Sequence, residues 1–177
     1  MKVNVSDIKR SHGLSQVLRH REKVSIEGLE LTAPLEVDLK LTNVGSRILV
    51  EGTLRTRVNL LCSRCAADHD ENLEVRVDEQ FLPHDSPEVP QGEDFEPEQL
   101  SVFTYENDEI DIDEVVRQNL VASLPSRPLC SEDCRGLCAR CGTNLNEKAC
   151  ECESESSIDP RWGALQDLRT RTESGTD

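Results

Sequence analysis

Cysteines are the residues of this chain whose number and spacing most clearly indicate a chemistry. The C-terminal stretch PLCSEDCRGLCARCGTNLNEKACEC contains six of them: Cys130, Cys134, Cys138, Cys141, Cys150 and Cys152. A structural zinc ion takes four ligands, so six thiols exceed one site and fall short of two. The segment LLCSRC supplies Cys62 and Cys65 and brings the total to eight, which makes two complete sets.

The close pairing of these cysteines favours metal binding over unrelated buried thiols. A C-x2-C turn lets two thiolates converge on one cation. A glycine after the second cysteine, as at Cys141-Gly142, lets the chain turn back while backbone N–H groups point at sulfur. The sequence therefore predicts two zinc ions in all-cysteine sites, although iron also occupies sites of four thiolates.

The same cysteine pattern argues against catalysis. Catalytic zinc needs an open coordination position, whereas four thiolates close the site. The sequence contains no Ser/His/Asp set, glycine-rich phosphate loop or H-E-x-x-H motif. A thioredoxin-like C-x-x-C begins a helix, but Cys62 and Cys65 lie between two predicted strands. We therefore expect neither an enzyme nor a small-molecule substrate.

Chain closure favours one division of the eight thiols into two sites. A local site takes Cys138, Cys141, Cys150 and Cys152. A nonlocal site takes Cys62, Cys65, Cys130 and Cys134 and ties the C-terminal segment to the sheet. The competing division groups Cys130, Cys134, Cys138 and Cys141 and leaves Cys62, Cys65, Cys150 and Cys152. His69 follows closely in sequence, but thiols suffice in number, so we expect it to be a solvated turn residue.

Three segments with alternating apolar and polar residues must position the first cysteine pair. They are LEVDLKLT, RILVEGTLRTRVNLL and LEVRVDEQF, and their period of two predicts half-buried strands. Asn43-Val44-Gly45-Ser46 connects the first two segments as a hairpin turn, and Cys62-Ser63-Arg64-Cys65 connects the last two. The sequence thus predicts an antiparallel sheet with one face in water.

A helix over 112–124 is predicted to precede the second group of cysteines. Asp111 or Asp113 caps it, apolar residues recur at helical spacing, and Pro125 stops it. We expect its apolar stripe to pack on the sheet. A second short amphipathic helix begins at Asp159-Pro160 and carries Trp162, Leu165 and Leu168, either for packing or for docking.

These elements predict an α+β fold: an antiparallel β-sheet domain with a packed helix and a C-terminal cysteine-rich zinc-binding module. The predicted organisation is a basic N-terminal arm over 1–30, a β domain over 31–126 with an acidic loop at 83–108, a zinc module with a short helix over 127–169, and a disordered tail over 170–177. The acidic loop also contains a predicted short strand at Leu100 to Tyr105.

The formal net charge of -15 argues against a broad electrostatic grip on nucleic acid and suits a basic partner. The charge is uneven, because residues 1–23 are rich in Lys and Arg while no Lys or Arg occurs from Asp78 to Glu114. The first residues do not form a secretory signal, and no apolar run reaches the ~20 residues of a membrane span. We therefore expect a cytoplasmic protein with reduced thiols.

Four segments, LLCSRC, IDIDEVVRQNLVASLPSRPLC, CRGLCARCGTNLN and DPRWGALQDL, resemble in their order the bacterial YceD (DUF177) family, called large ribosomal RNA subunit accumulation protein. The resemblance spans roughly residues 30–169. It implies a cytoplasmic, non-enzymatic factor for accumulation or processing of 23S ribosomal RNA. Some family members carry the hairpin C-x2-C and the counterparts of Cys130 and Cys134 but lack the later cysteines, which favours the division with one nonlocal site.

Three functions follow from these features. The first is a ribosome-assembly factor that acts on a ribosomal precursor particle, its 23S rRNA or a basic ribosomal protein, and whose acidic surface holds or guides that protein. On composition alone, a solvated loop explains the acids equally well. The residues of the acidic surface are Asp85, Glu88, Glu93, Asp94, Glu96, Glu98, Glu106, Asp108 and Glu109.

The second function is a zinc-ribbon nucleic-acid-binding regulator, and the third is a zinc-linked redox sensor that loses its metal on oxidation. Salt-dependent binding of naked RNA distinguishes the second, and thiol modification rates with and without zinc distinguish the third. The candidate nucleic-acid contacts are Lys9, Arg10, Arg19, Arg21, Arg135 and Arg140.

Overall fold

The main element of the fold is a six-stranded sheet. The computed structural model describes residues 1–88 and 102–152. The strands of this sheet are β2 (Ser15–Glu22), β3 (Glu30–Leu31), β4 (Leu35–Asn43), β5 (Ile48–Leu61), β6 (Asp68–Pro83) and β7 (Val102–Tyr105). Their order is β2-β4-β5-β6-β7, with β3 pairing β5 beyond the end of β4. All pairs are antiparallel except β6 with β7, which is parallel.

Residue alternation along these strands puts one face of the sheet in a core and the other in water, as predicted. In β4, the odd-numbered positions from Leu35 to Leu41 are buried, and the charged residues between them are exposed. β5 and β6 continue the pattern, with Leu54 and Val77 fully enclosed. Because each strand has a period of two, one register places every apolar side chain on the same face.

One helix, α1 (Ile112–Ala122), covers the apolar face of this sheet. The Asp111 carboxylate caps its N-terminus by accepting a hydrogen bond from the Asp113 N–H at 3.1 Å, one of the two capping residues that the sequence predicts. Its stripe of Ile112, Val115, Val116 and Leu120 is buried in the common core. Among the described residues, no helix is long and apolar enough to cross a lipid bilayer.

Residues 1–30 differ from the basic arm that the sequence predicts, because much of this segment pairs with the rest of the fold. β1 (Lys2–Asn4) pairs antiparallel with β8 (Glu109–Asp111) in a separate two-stranded sheet, and β2 pairs with β4 along its length. Between them, Val5 and the short 3-10 helix Ile8–Arg10 contribute buried side chains to the core. Apolar burial thus holds the segment in place in spite of its charge.

Contacts within the chain divide it into two compact units, Met1–Cys134 and Arg135–Asp177. The division falls later than the module boundary predicted at 127, because Cys130 and Cys134 belong to the first unit. Several predicted features lie outside the described residues: the acidic positions Glu93, Asp94, Glu96 and Glu98, the helix with Trp162, Leu165 and Leu168, and the tail over 170–177.

Gly52 lies where β4 and β5 approach each other too closely to admit a side chain. Its φ is +153°, and a Cβ at this position would overlap the Asp38 carbonyl oxygen and lie 2.9 Å from Leu39 Cα. We expect Gly52→Ala to lower the free energy of unfolding by about 3 kcal/mol or more, because backbone must move to admit the methyl group. Urea unfolding curves measure the loss.

Gly13→Ala is the matched control for that substitution. Gly13 also has a positive φ, of +84°, but nothing lies within 4 Å of the position that an alanine methyl group would occupy there. Its cost is conformational only, about 1–2 kcal/mol. Equal losses for the two variants would contradict the close approach inferred at Gly52.

Candidate metal centres

The first candidate centre gathers cysteines from two distant parts of the first unit. Cys62 and Cys65 lie in the turn between β5 and β6, and Cys130 and Cys134 come from the segment after α1. The Cys62 and Cys134 sulfurs are 3.8 Å apart, and the Cys65 and Cys130 sulfurs are 3.6 Å apart. All four Sγ atoms lie within 4.8 Å of one another. The structure therefore brings together the four residues of the nonlocal set.

These sulfur separations match a tetrahedral metal site. A Zn–S bond of ~2.3 Å places two sulfurs of a tetrahedron about 3.8 Å apart, and a disulfide would need about 2.05 Å. The observed 3.6 and 3.8 Å agree with the metal geometry and leave all four cysteines as free thiols. Four sulfur donors are a set that Zn²⁺ accepts, and the residues fit such an ion.

Hydrogen bonds to the hairpin tip hold the later cysteines in place. The Ser63 N–H donates to the Pro128 carbonyl at 2.8 Å. The Arg64 guanidinium donates through Nη1 to the carbonyls of Glu132 at 3.0 Å and Cys134 at 2.8 Å. Arg64 thus fastens the loop that carries Cys134 to the turn that carries Cys62. Sequence reasoning missed this role, because the partner carbonyls are about 70 residues away and have no side-chain signature.

The second centre lies within the unit Arg135–Asp177. Its four Sγ atoms are also within 4.8 Å of one another, and they belong to Cys138, Cys141, Cys150 and Cys152. Cys138 and Cys141 sit on a small hairpin in which the Cys138 N–H donates to the Thr143 carbonyl at 2.8 Å and Leu137 pairs with Asn144. This is the local set that chain closure favours, so the competing division does not describe the structure.

The two C-x2-C turns have the same backbone geometry. In each, the residue after the second cysteine has a positive φ, +54° at Ala66 and +71° at Gly142. Its N–H donates to the carbonyl of the first cysteine at 2.9 Å, Cys62 in one turn and Cys138 in the other. Gly142 thus fits the expectation of a glycine after the second cysteine. Ala66 adopts the same left-handed conformation at a cost in conformational free energy, which contacts with its neighbours must offset.

Burial distinguishes the two centres. Cys62, Cys65 and Cys134 are buried next to Ala67 and Leu129, and only Cys130 is exposed. In the second centre, Cys141 is exposed and the other three cysteines are half-buried. The first centre is thus part of the packed interior of its unit, whereas the second is accessible to solvent.

Hydrogen bonding gives the thiols of the first centre different acidities. Backbone N–H groups, first that of Cys130 and then that of Cys65, lower the pKa of Cys62 to about 5. Neighbouring thiols, first Cys65 and then Cys134, raise the pKa of Cys130 to about 12. The pKa of Cys65 is lowered by the Ala67 N–H but raised on balance by burial and by Cys62. One sulfur is therefore a thiolate at neutral pH, while two retain protons.

The thiols of the second centre also differ in their pKa values. The backbone N–H groups of Cys141 and Arg140 lower the pKa of Cys138 to about 6. The Thr143 hydroxyl and N–H lower the pKa of Cys141, and the Cys141 thiol raises the pKa of Cys152 to about 12. A cation that binds here finds one sulfur ready as a thiolate and displaces a proton from another.

His69 is not the solvated turn residue that the sequence suggests. It lies in β6 opposite Leu60 and is half-buried. Both ring nitrogens are enclosed, without a hydrogen-bond partner in the part of the chain that the structure describes. The strand begins at Asp68, earlier than the alternating pattern LEVRVDEQF indicates, and this brings His69 onto the core side. It stands outside both cysteine groups, as the count of thiols predicts.

Most of the candidate nucleic-acid contacts have protein partners instead. Arg19 and Arg21 of β2 lie 3.2 and 3.3 Å from Asp38 and Glu36 of β4. Lys9 pairs with Asp108 and lies 5.5 Å from the Tyr105 ring centre. Arg10 is 3.0 Å from Asp7, and Arg135 donates to the Leu145 carbonyl. The Arg140 backbone N–H donates a hydrogen bond to the Cys138 sulfur of the second centre.

Most of the described residues of the predicted acidic surface have a basic side chain close by. Glu88 accepts hydrogen bonds from Arg47 at 3.0 and 3.2 Å. Asp108 is paired with Lys9, and Glu109 lies 3.9 Å from Lys2. Asp85 and Glu106 are exposed, and Glu106 is 3.9 Å from His84. These residues cluster near the ends of β6 and β7.

Comparisons with known proteins agree on one family. The family model described as Large ribosomal RNA subunit accumulation protein YceD matches residues 50–169. An uncharacterized protein of Mycobacterium leprae is 31% identical over 147 residues, which cover 80% of this chain and 64% of the relative. One from Mycobacterium tuberculosis is 30% identical over 146 residues, with 80% and 67% covered. The chain thus spans about two thirds of these relatives.

A plant relative carries a descriptive name. Large ribosomal RNA subunit accumulation protein YCED homolog 1, chloroplastic, from Arabidopsis thaliana is 26% identical over 181 residues, which cover 84% of this chain and 56% of that protein. No solved structure matches the chain.

Proton release gives a test of metal binding by these centres. Cys65, Cys130 and Cys152 have raised pKa values and must lose their protons to become ligands. We expect Zn²⁺ binding at pH 7 to release protons, and the affinity to fall as pH is lowered, further still below about pH 6 where Cys138 also becomes protonated. Calorimetry in buffers of different ionisation enthalpy counts the protons. A binding heat that is the same in all buffers would contradict this ligand set.

The division into two units predicts unequal effects of losing one thiol from each centre. Cys62→Ser removes a ligand that joins the hairpin to the later segment, so it should destabilise the first unit by about 3 kcal/mol or more. Cys141→Ser is the matched control in the second unit. Hydrogen exchange of peptides from β5 and β6 measures the effect. Equal loss of protection in the two variants would contradict the nonlocal centre.

Proposed function

The chain belongs to the YceD family of large ribosomal RNA subunit accumulation proteins, and from this membership we propose that it is a non-enzymatic factor in large ribosomal subunit biogenesis. It supports accumulation or processing of 23S rRNA in the cytoplasm. Two Zn²⁺ ions, one in each four-cysteine centre, stabilise it. Its partner is a ribosomal precursor particle, through the rRNA or a basic ribosomal protein.

The observation that carries this proposal is the extent of the family match. Residues 50–169 include the β5–β6 hairpin, α1 and all eight cysteines. The matched region therefore contains the cysteines of both centres and most of the elements that position them. We therefore expect the function of the family to depend on the fold that the first centre stabilises.

Closed coordination supports a structural role for the metal. When four thiolates surround Zn²⁺, no position remains for a water molecule or substrate. The ion then supplies charge compensation and cross-linking, and the residues near it position loops. Arg64 orders the loop of Cys134 by two hydrogen bonds to carbonyl groups. A protein with such a site acts by binding a partner and not by catalysing a reaction.

Charge supports a basic protein as the direct partner. The net charge of -15 repels phosphate and attracts Lys-rich and Arg-rich surfaces. The N-terminal cations that a nucleic-acid regulator would use are already paired with Asp38, Glu36, Asp108 and Asp7. Contact with RNA through them would break several of these pairs. We therefore favour a basic ribosomal protein over the rRNA as the direct binding partner of this chain.

A complementation experiment tests the function. We expect cells without the protein to accumulate less large-subunit rRNA and to contain large-subunit precursors, and the wild-type gene to restore both. Cys62→Ser should fail to restore them, because it opens the first centre. Ser63→Ala, at an exposed neighbouring side chain whose backbone makes the hydrogen bond, is the control and should restore both. Northern analysis of 23S rRNA and sucrose gradients measure the outcome.

Normal amounts of 23S rRNA and mature large subunits in the deletion strain would refute the proposed function. Full restoration by Cys62→Ser would leave the family role standing and refute the requirement for the first metal centre.

A further inference from the structure

A groove with an apolar floor lies between α1 and the edge of the main sheet. Its volume is about 520 Å³, within the range of ~300–1,000 Å³ that ligand sites occupy. Leu35 and Val37 of β4 and Val116 of α1 form the floor. Val24 and Ile26, in the loop after β2, are half-buried against the core and form one wall. An inserted side chain would therefore meet aliphatic carbon on two sides.

The rim of this groove is acidic. Glu22, Glu27 and Asp113 line it, together with one cationic side chain, Arg117. The Arg117 guanidinium already binds Glu114 with two hydrogen bonds, of 2.9 and 2.6 Å. Asp113 is paired with the Met1 ammonium, and Glu22 lies 3.0 Å from His20, which is a cation only when protonated. Glu27 contributes to the raised pKa of Arg117, but the hydrogen bonds of that guanidinium go to Glu114. Among the described carboxylates of the rim, Glu22 and Glu27 are therefore the two that no lysine, arginine or terminal ammonium holds in an ion pair.

We propose that this groove is a docking site for a short cationic segment of a partner protein. An aliphatic or aromatic side chain of the segment enters the floor, and flanking Lys or Arg side chains face Glu22 and Glu27. The inference deepens the proposed function, on which it rests for the partner's class, a basic ribosomal protein. It does not depend on either metal centre, because the described residues that line the groove include no cysteine.

The lining favours a peptide over RNA as the occupant. Carboxylates on the rim repel phosphate. Single-stranded bases bind largely by stacking on aromatic side chains. The described residues that line the groove are aliphatic, polar or charged, and none of them has an aromatic ring. A cationic peptide with an apolar anchor complements both the charge of the rim and the carbon surface of the floor.

Fluorescence anisotropy with the full-length, zinc-loaded protein tests the proposal. The probe is a short labelled peptide with a central Phe flanked by Lys and Arg, and the comparison peptide has Ser in place of Phe. We expect the Phe peptide to bind about tenfold or more tightly than the Ser peptide, because the aromatic side chain is buried on binding. An RNA oligonucleotide should neither bind nor compete.

Matched variants locate the binding site. Glu22→Gln with Glu27→Gln should weaken the Phe peptide by about tenfold, and Ser25→Arg, at an exposed position that lines the groove, should weaken it similarly. The control is Glu51→Gln with Asp78→Asn, which removes the same charge from exposed cross-strand neighbours on the water-facing side of the sheet. It should leave the affinity unchanged.

Several outcomes would overturn the proposal. One is equal weakening by the groove pair and the control pair, which indicates general charge attraction. Others are equal affinity for the Phe and Ser peptides, and competition by RNA. Dimerisation of the wild type that Ser25→Arg abolishes, measured by sedimentation, would assign the groove to a second copy of the chain. Any of these results, obtained while the deletion strain shows the expected rRNA defect, refutes the groove and leaves the proposed function intact.

Discussion

Four sulfur atoms from two distant segments lie within 4.8 Å of one another, and the structure of the first unit depends on what holds them together. Thiolates at this distance need a cation between them, and protonated thiols would offer only weak hydrogen bonds in return for the ordering of two loops. A divalent ion would displace the remaining protons, balance the charge of the thiolates and close a loop that runs from the β5–β6 turn to the segment after α1. The backbone is already arranged for it: N–H groups point at Cys62, and Arg64 holds the carbonyls beside Cys134.

The same turn serves different purposes in the two units. Ala66 and Gly142 both adopt positive φ, and both donate to the carbonyl of the first cysteine of their pair. In the first unit the second pair of cysteines comes from beyond α1, so an ion held by all four would join that segment to a hairpin that packs in the large apolar core. In the second unit all four cysteines lie between positions 138 and 152, and few side chains are buried among its described residues, 135–152. A metal ion bound there would therefore order a segment whose described residues bury little apolar surface.

The parts of the structure that could be predicted from sequence are those with a local signal. The period of two indicated β4, β5 and β6, the capping residue and apolar spacing indicated α1, and the short loops between cysteines indicated the division into two groups. The N-terminal strands were missed because their signal is nonlocal. Val3 pairs with Ile110, and β2 is an edge strand in which charged residues replace the apolar alternation. The groove could not be predicted from the sequence either, because its floor combines Val37 of β4 with Val116 of α1, which are far apart in the chain.

The register of the sheet explains where charge remains available for a partner. Arg21, Glu36, Arg55 and Glu74 lie side by side across four strands, so that each charge has an opposite neighbour. Arg21 is 3.3 Å from Glu36, and Arg55 is 2.7 Å from Glu74. Alternation of this kind balances the charges of this row on the water-facing side of the sheet, even though the whole chain has a net charge of -15. Carboxylates without this balance also occur on the sheet, where Glu51 lies opposite Asp78. In the described residues, Glu22 and Glu27 differ from them because they lie beside the apolar floor of the groove. A cationic partner is drawn by the total charge but gains contact energy only where charge and apolar surface occur together, which is at the groove.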